Sequence, residues 1–194
     1  DMNINGGWQD QYAAVFGVFN FIELSEAENV VHPLRIPNDT ILDLEDHLLL
    51  CNTGLLHNSN DIHDDQSKQM QDISVKVVAD ESKNLARQLK SKLLKNNLNE
   101  FGALLHKAWL AKKKFSTKIT SSKLDAIYQL AIDNGALGGK LLGAGGGGYF
   151  LFYVPHSSRK DVVNSLSNEG FQIEHFQFEL NGVRSWQSED NDAN

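Results

Sequence analysis

Apolar positions along the chain switch repeatedly between helical and strand spacing, and each switch marks a change of element. Asp10–Phe16 reads as a short helix that Gly17 ends. Phe19–Leu24 and Val30–Ile36 read as strands across a polar turn, Ser25–Asn29, and Pro33 puts the second strand near an edge or at a bulge. Leu42–Glu45 fits neither period. His47–Asn52, around the apolar run Leu48–Cys51, reads as a buried strand, and Thr53–Asp65 is a polar stretch that reads as an exposed loop running into a helix.

The middle of the chain takes the helical period. Val75, Val78, Ala79, Ser82, Leu85, Ala86, Leu89 and Leu93 share one face. Asn99 is placed to cap a second helix with Phe101, Leu104, Leu105, Ala108 and Trp109 inward, and Ser122-Lys123-Leu124-Asp125 reads as the capped start of a third, ended by Gly135. Tyr149–Val154 returns to a strand pattern. A helix follows from Pro155, with Val162, Val163 and Leu166 inward and Gly170 at its end. Phe171–Leu180 alternates imperfectly, and Val183–Trp186 closes the fold. Strands, then helices, then strand–helix–strand–strand predict an α+β fold.

Composition narrows the class. An apolar content of 41% and a charged content of 22% fit a globular chain. A net charge of −7 argues against nucleic acid as a partner, and no run is long enough for a membrane span, so the cytoplasm is the expected location. Cys51, the single cysteine, lies within an apolar run and reads as a buried structural thiol.

The candidate chemistry centres on Gly138-Gly139-Lys140-Leu141-Leu142-Gly143-Ala144-Gly145-Gly146-Gly147-Gly148. Glycines at this density permit positive φ and let a ligand approach the main chain, whose N–H groups can then face an anion. The stretch is not a P-loop, because Lys140 precedes the glycines. Gly143, Gly145 and Gly148 satisfy G-x-G-x-x-G, but the loop runs into a strand rather than opening a helix, which disfavours a dinucleotide site. A plain glycine-rich turn before a buried strand is the alternative.

Leu142-Gly143-Ala144-Gly145-Gly146-Gly147-Gly148 resembles the third motif of the GHMP kinases. Gly6-Gly7-Trp8-Gln9-Asp10-Gln11 resembles the segment bearing that family's catalytic aspartate, in a form similar to the heptose kinases, as does Asn52-Thr53-Gly54-Leu55-Leu56-His57-Asn58-Ser59-Asn60-Asp61-Ile62. The resemblance implies a ferredoxin-like C-terminal domain over residues 53–194, preceded by a remnant of the nucleotide-side domain over residues 1–52. It implies an ATP-dependent kinase acting on the anomeric hydroxyl of a heptose 7-phosphate or related sugar. The family's Pro-x-x-x-Gly-Leu-Gly-Ser-Ser loop and its Mg²⁺ ligands find no match, so the chain resembles the C-terminal portion of such a kinase, with the ligands for Mg²⁺ expected elsewhere.

On this reading Asp10 activates or aligns the sugar hydroxyl, against the alternative of a carboxylate that only favours a helix start. Gly143, Ala144, Gly145, Gly146 and Gly147 shape the phosphate site. Trp8, Gln9, Gln11, His57 and Asn58 line the sugar site, with packing or solvation as their alternatives. No recognised metal spacing joins the histidines, and His32, His47, His106, His156 and His175 read as structural. A distal phosphate on the substrate needs a cation; Lys112, Lys113, Lys114, Lys140 and Arg184 all qualify. The partners expected are a sugar phosphate and ATP, with a homodimer compatible. A non-catalytic binding module of the same fold and a decarboxylase of the same superfamily are the competing functions.

Overall fold

In the computed structural model of the chain the described residues are 8–17, 19–25, 27–56, 62, 64–66, 69 and 73–186. They fall into two compact units. One is built from Ile36–Gln177; the other joins the segment ending at Arg35 to the segment that starts at Phe178.

The smaller unit holds helix α1 (Gln9–Phe16) and the hairpin strands β1 (Asn20–Leu24) and β2 (Asn29–Pro33). The hairpin is antiparallel, with Ile22 opposite Val31 and Pro33 at its open end, where its missing N–H is harmless. Gly17 ends α1 at φ +59°, and its N–H bonds the Ala13 carbonyl at 2.9 Å. A Cβ there would stand 2.2 Å from the Gly182 nitrogen, so only glycine admits the returning chain. Phe19 meets Phe178 edge-on at 4.7 Å. Val183–Trp186 forms no regular element: Val183 is tied to Ala14 by a 3.0 Å backbone bond, and its side chain is exposed.

The larger unit begins with α2 (Asn38–His47), which resolves the ambiguous Leu42–Glu45 as helix. Leu44 is its buried apolar contact, while Leu42 stays in solvent. Strand β3 (Leu48–Asn52) follows, then α3 (Ile73–Leu94), α4 (Leu98–Lys113), α5 (Ser122–Asp133), β4 (Gly138–Leu141), β5 (Tyr149–Tyr153), α6 (His156–Asn168) and β6 (Gln172–Glu174). The sheet order is β4-β5-β3-β6 and every pairing is antiparallel, with Leu50 opposite both Leu151 and Glu174. Strand, helices, two strands, helix, strand in this order is the ferredoxin-like arrangement expected from the resemblance. Because β3 is a central strand bonded on both sides, the expected boundary after Asn52 falls inside this fold. The compact units divide at Arg35/Ile36 and Gln177/Phe178 instead.

Three local readings shift. The cap of α4 is Asn97, and Asn99 instead accepts a 3.2 Å bond from the Tyr153 hydroxyl. The cap of α5 is Ser121, whose Oγ accepts from the Leu124 N–H at 3.3 Å. Strand β4 falls within the expected glycine loop, since Gly-Gly-Lys-Leu has little strand propensity. It exists because β5 pairs with it and α4 packs close to it. A Cβ at Gly138 would lie 2.2 Å from the Gly102 carbonyl oxygen of α4, so glycine allows the helix to approach this edge strand.

The core lies between this sheet and its helices. Trp109, Leu124, Ile127, Ala131, Phe150, Phe152 and Leu166 are almost wholly buried, and Trp109 meets Phe150 edge-on at 5.5 Å. Cys51 is in this cluster, where burial pushes its thiol up to about 12 and leaves it unreactive. Among the described residues, no helix is long and apolar enough to cross a membrane.

Candidate functional site

The loop between β4 and β5 is held from three directions. At its start the Lys112 ammonium, near the end of α4, donates to the carbonyls of Leu141 at 3.0 Å and Gly143 at 2.5 Å. In the middle, the Gly146 N–H bonds the Ile119 carbonyl at 2.8 Å. At its end the Gly148 N–H bonds the Leu55 carbonyl at 3.0 Å, and the Gly148 carbonyl takes the Thr53 N–H at 2.9 Å and the Thr53 hydroxyl at 2.7 Å. Gly143, Gly145, Gly146 and Gly148 all have positive φ, which no run of ordinary residues would accept.

The glycines are not equivalent. A Cβ at Gly145 would press on Ile119 at 3.0 Å, and one at Gly147 would stand 2.4 Å from the Leu55 carbonyl oxygen. At Gly143 a Cβ would meet nothing within 4 Å. Gly145 and Gly147 are therefore needed for packing, whereas Gly143 borders open space. The donors also divide. The Gly146 N–H is occupied by Ile119, whereas those of Gly143, Ala144, Gly145 and Gly147 have no backbone partner among the described residues.

The structure separates the candidate cations. Lys113 pairs with Asp125 at 3.1 Å and Lys114 with Glu81 at 3.6 Å. Arg184 is exposed in the smaller unit and donates to Asn181. Lys112 grips the glycine loop, and Lys140 lies on β4 just before it. Burial, and then the neighbouring charge of Lys140, pull Lys112 down to about 7; burial also lowers Lys140.

Trp8, Gln9, Asp10 and Gln11 sit together where α1 begins, all exposed, with Asp10 in the first helical turn. His57 and Asn58 lie outside the described residues, as do Asn60, Asp61 and His63. Asp65, from the same polar stretch, accepts bonds from the Ser116 hydroxyl and, at 3.0 Å, from Gln69. The scattered histidines prove partly sociable. Asp43, His47 and His156 bring ligand-type atoms within 4.8 Å of one another, and His47 stacks on Tyr153 at 5.1 Å. This cluster adjoins the Leu48–Tyr153 end of the sheet, whereas the glycine loop joins the Asn52–Tyr149 end.

A profile of the family described as GHMP kinases C terminal matches residues 80–172. These residues are a GHMP kinase C-terminal domain. Over 187 residues the chain is 36% identical to D-glycero-alpha-D-manno-heptose 7-phosphate kinase of Campylobacter jejuni, a match covering 96% of this chain and 55% of the relative. Its structure is similar to that of a D-glycero-D-manno-heptose 1-phosphate kinase from Bacteroides thetaiotaomicron, with 29% identity and a TM-score of 0.67 over 94% of this chain and 49% of that one. It also shares the fold of L. major mevalonate kinase, with a TM-score of 0.72 at 21% identity over 90% of this chain and 53% of that one. The chain thus spans about half the length of the Campylobacter relative.

Within the GHMP kinase C-terminal domain, the strapped loop presents fixed main-chain dipoles, with the Lys112 amine bonded at its entrance. Such groups stabilise charge without reorganising as it develops. The depressed Lys112 also makes stability depend on pH. Between about 7 in the folded state and the ordinary lysine value of about 10.4, the unfolded chain holds a proton that the folded chain does not. Stability therefore rises with pH across that interval. Cys51 opposes this above about pH 8.5, where a free thiol ionises but the buried one does not. The expected result is a urea midpoint that climbs from about pH 7 to 8.5 and climbs less in Lys112→Met. Equal slopes in the two proteins would show that Lys112 is not the group responsible.

Proposed function

We propose that this chain is the acceptor-side portion of an ATP-dependent sugar kinase that phosphorylates the anomeric hydroxyl of a heptose 7-phosphate or a closely related sugar. The observation that carries this reading is the 36% identity to a heptose 7-phosphate kinase along 96% of this chain. The strapped glycine loop, with Lys112 and Lys140 beside it, supports it as an anion site. In the proposed reaction Asp10 takes or aligns the proton of the sugar hydroxyl, and Trp8, Gln9 and Gln11 contact the sugar. The N–H groups of Gly143, Ala144, Gly145 and Gly147 face phosphate oxygens, while Gly146 holds the loop to Ile119. ATP is the phosphate donor, and Mg²⁺ would neutralise its phosphates; no residue described here is assigned to the metal. The expected setting is the cytoplasm.

The test is ADP release by the protein expressed from its full reading frame, given ATP, Mg²⁺ and D-glycero-D-manno-heptose 7-phosphate, with phosphorus NMR to locate the new ester. Sugar-dependent ADP release with a new anomeric phosphate is expected. Hydrolysis of ATP without sugar dependence, or no turnover with any of a panel of sugar phosphates, would overturn the reading.

A related result is expected of residues 1–194 alone. Phosphoryl transfer depends on positioning and electrostatics, and positioning needs both donor and acceptor held. The 194 residues contain no recognisable second phosphate loop. They are expected to fold but to release no ADP above background. Sustained, sugar-dependent release that Asp10→Asn abolishes would show that these residues hold a complete site.

A further inference from the structure

We propose that Lys112 and Lys140 together seat a phosphate monoester dianion at the entrance of the glycine loop, and that this is the phosphate the sugar acceptor already carries. The choice of acceptor rests on the kinase reading above; the seat itself does not.

Two ammonium-bearing side chains converge here. Lys112 Nζ reaches the carbonyls of Leu141 and Gly143, and Lys140 immediately precedes Leu141 on β4. Their charges act on each other, and both side chains are half-buried. Their neighbours Lys113 and Lys114 have carboxylate partners, whereas neither Lys112 nor Lys140 makes an ion pair among the described residues. Two like charges withdrawn from water and left without a counterion are unfavourable, and an anion between them reverses the sign of the interaction. The chain as a whole carries −7, so this pair is a local exception in an acidic protein.

The shape of the site fits the same ligand. An ammonium has three donors, and the Leu141 and Gly143 carbonyls take two of those on Lys112, leaving one to point elsewhere. Gly143 is exposed, at φ +64°, and faces open space where a side chain would project. Its N–H and that of Ala144 have no backbone partner among the described residues. A phosphate monoester near neutral pH brings close to two charges and three acceptor oxygens, which match two lysines and the adjacent main-chain donors. The sugar phosphate and the nucleotide both carry such oxygens, so the two sources are separated by experiment.

The experiment is calorimetric titration of residues 1–194 with D-glycero-D-manno-heptose 7-phosphate, the unphosphorylated heptose, ADP and adenosine, in the unmodified chain and in Lys140→Gln, Lys112→Gln and Lys113→Gln. Heptose 7-phosphate affinity is expected to fall at least about tenfold in Lys140→Gln and in Lys112→Gln, and to hold in Lys113→Gln. The unphosphorylated heptose and adenosine should bind these variants as they bind the unmodified chain. A loss confined to ADP would keep the seat and overturn its assignment to the acceptor. Unchanged affinity for both phosphates in a folded Lys140→Gln, or no binding of either phosphate by the unmodified chain at millimolar concentration, overturns the proposal. Lys112→Gln also removes the grip on the loop, so Lys140→Gln decides if the former is unfolded. No turnover is involved, so a failed kinase assay beside an intact seat would count against the kinase reading alone.

Discussion

Asp10→Asn, in the protein expressed from its full reading frame, is expected to lower kcat by at least ~100-fold with little change in the KM for ATP. A sugar hydroxyl is a poor nucleophile at neutral pH, and a carboxylate within hydrogen-bond reach takes its proton or aligns it while phosphate transfers. An amide keeps the shape and loses the basicity. The variant is also clean. Asp10 is exposed in the first turn of α1, and α1 buries none of its residues, so no packing is disturbed. What is lost structurally is a favourable charge at a helix start, about 0.5 kcal/mol. A hundredfold loss of turnover in a protein whose urea midpoint falls by no more than this small cost would therefore report chemistry. Near-wild-type turnover would return Asp10 to the simpler role of a helix-start carboxylate.

Gly147→Ala is expected to destabilise the larger unit by about 3 kcal/mol or more, and Gly143→Ala by about 1 kcal/mol. The new methyl at position 147 would lie 2.4 Å from the Leu55 carbonyl oxygen and 2.9 Å from its carbon. The Leu55 carbonyl is fixed where it is by the Gly148 N–H, so the backbone cannot yield without breaking that bond. At position 143 the methyl would meet nothing, and the penalty is only that of a left-handed φ of +64°. Urea midpoints of residues 1–194 measure both. A folded, undiminished Gly147→Ala would mean that the loop is not strapped as described. The contrast also decides which variant reports on a ligand: valine at Gly145 or Gly147 tests packing, whereas alanine at Gly143 probes the space beside Lys112.

Much of the site was legible because its chemistry is local in sequence. A dense glycine run between a helix and an apolar strand implies a loop with positive φ values, and four of its glycines have them. The Gly17 stop and the inward face of Leu104 and Trp109 were equally local, since a helix ends where φ turns positive and buries what recurs at its own period. The α+β class followed from the order of such segments, and the ferredoxin-like arrangement from the resemblance.

What the sequence by itself did not determine are the features created by partners distant along the chain. Strand β4 has weak propensity and exists through pairing with β5 and the closeness of α4, which a side chain at Gly138 would block. The five candidate cations looked alike because charge carries no direction in a sequence. The fold gave Lys113 and Lys114 carboxylates 12 and 33 positions away and left Lys112 and Lys140 without an ion pair among the described residues. Sequence chemistry determined that a glycine loop and basic residues were available. Tertiary packing decided which N–H groups were already taken and which of the candidate lysines already had a carboxylate, because burial and hydrogen-bond saturation depend on what the rest of the fold places against them.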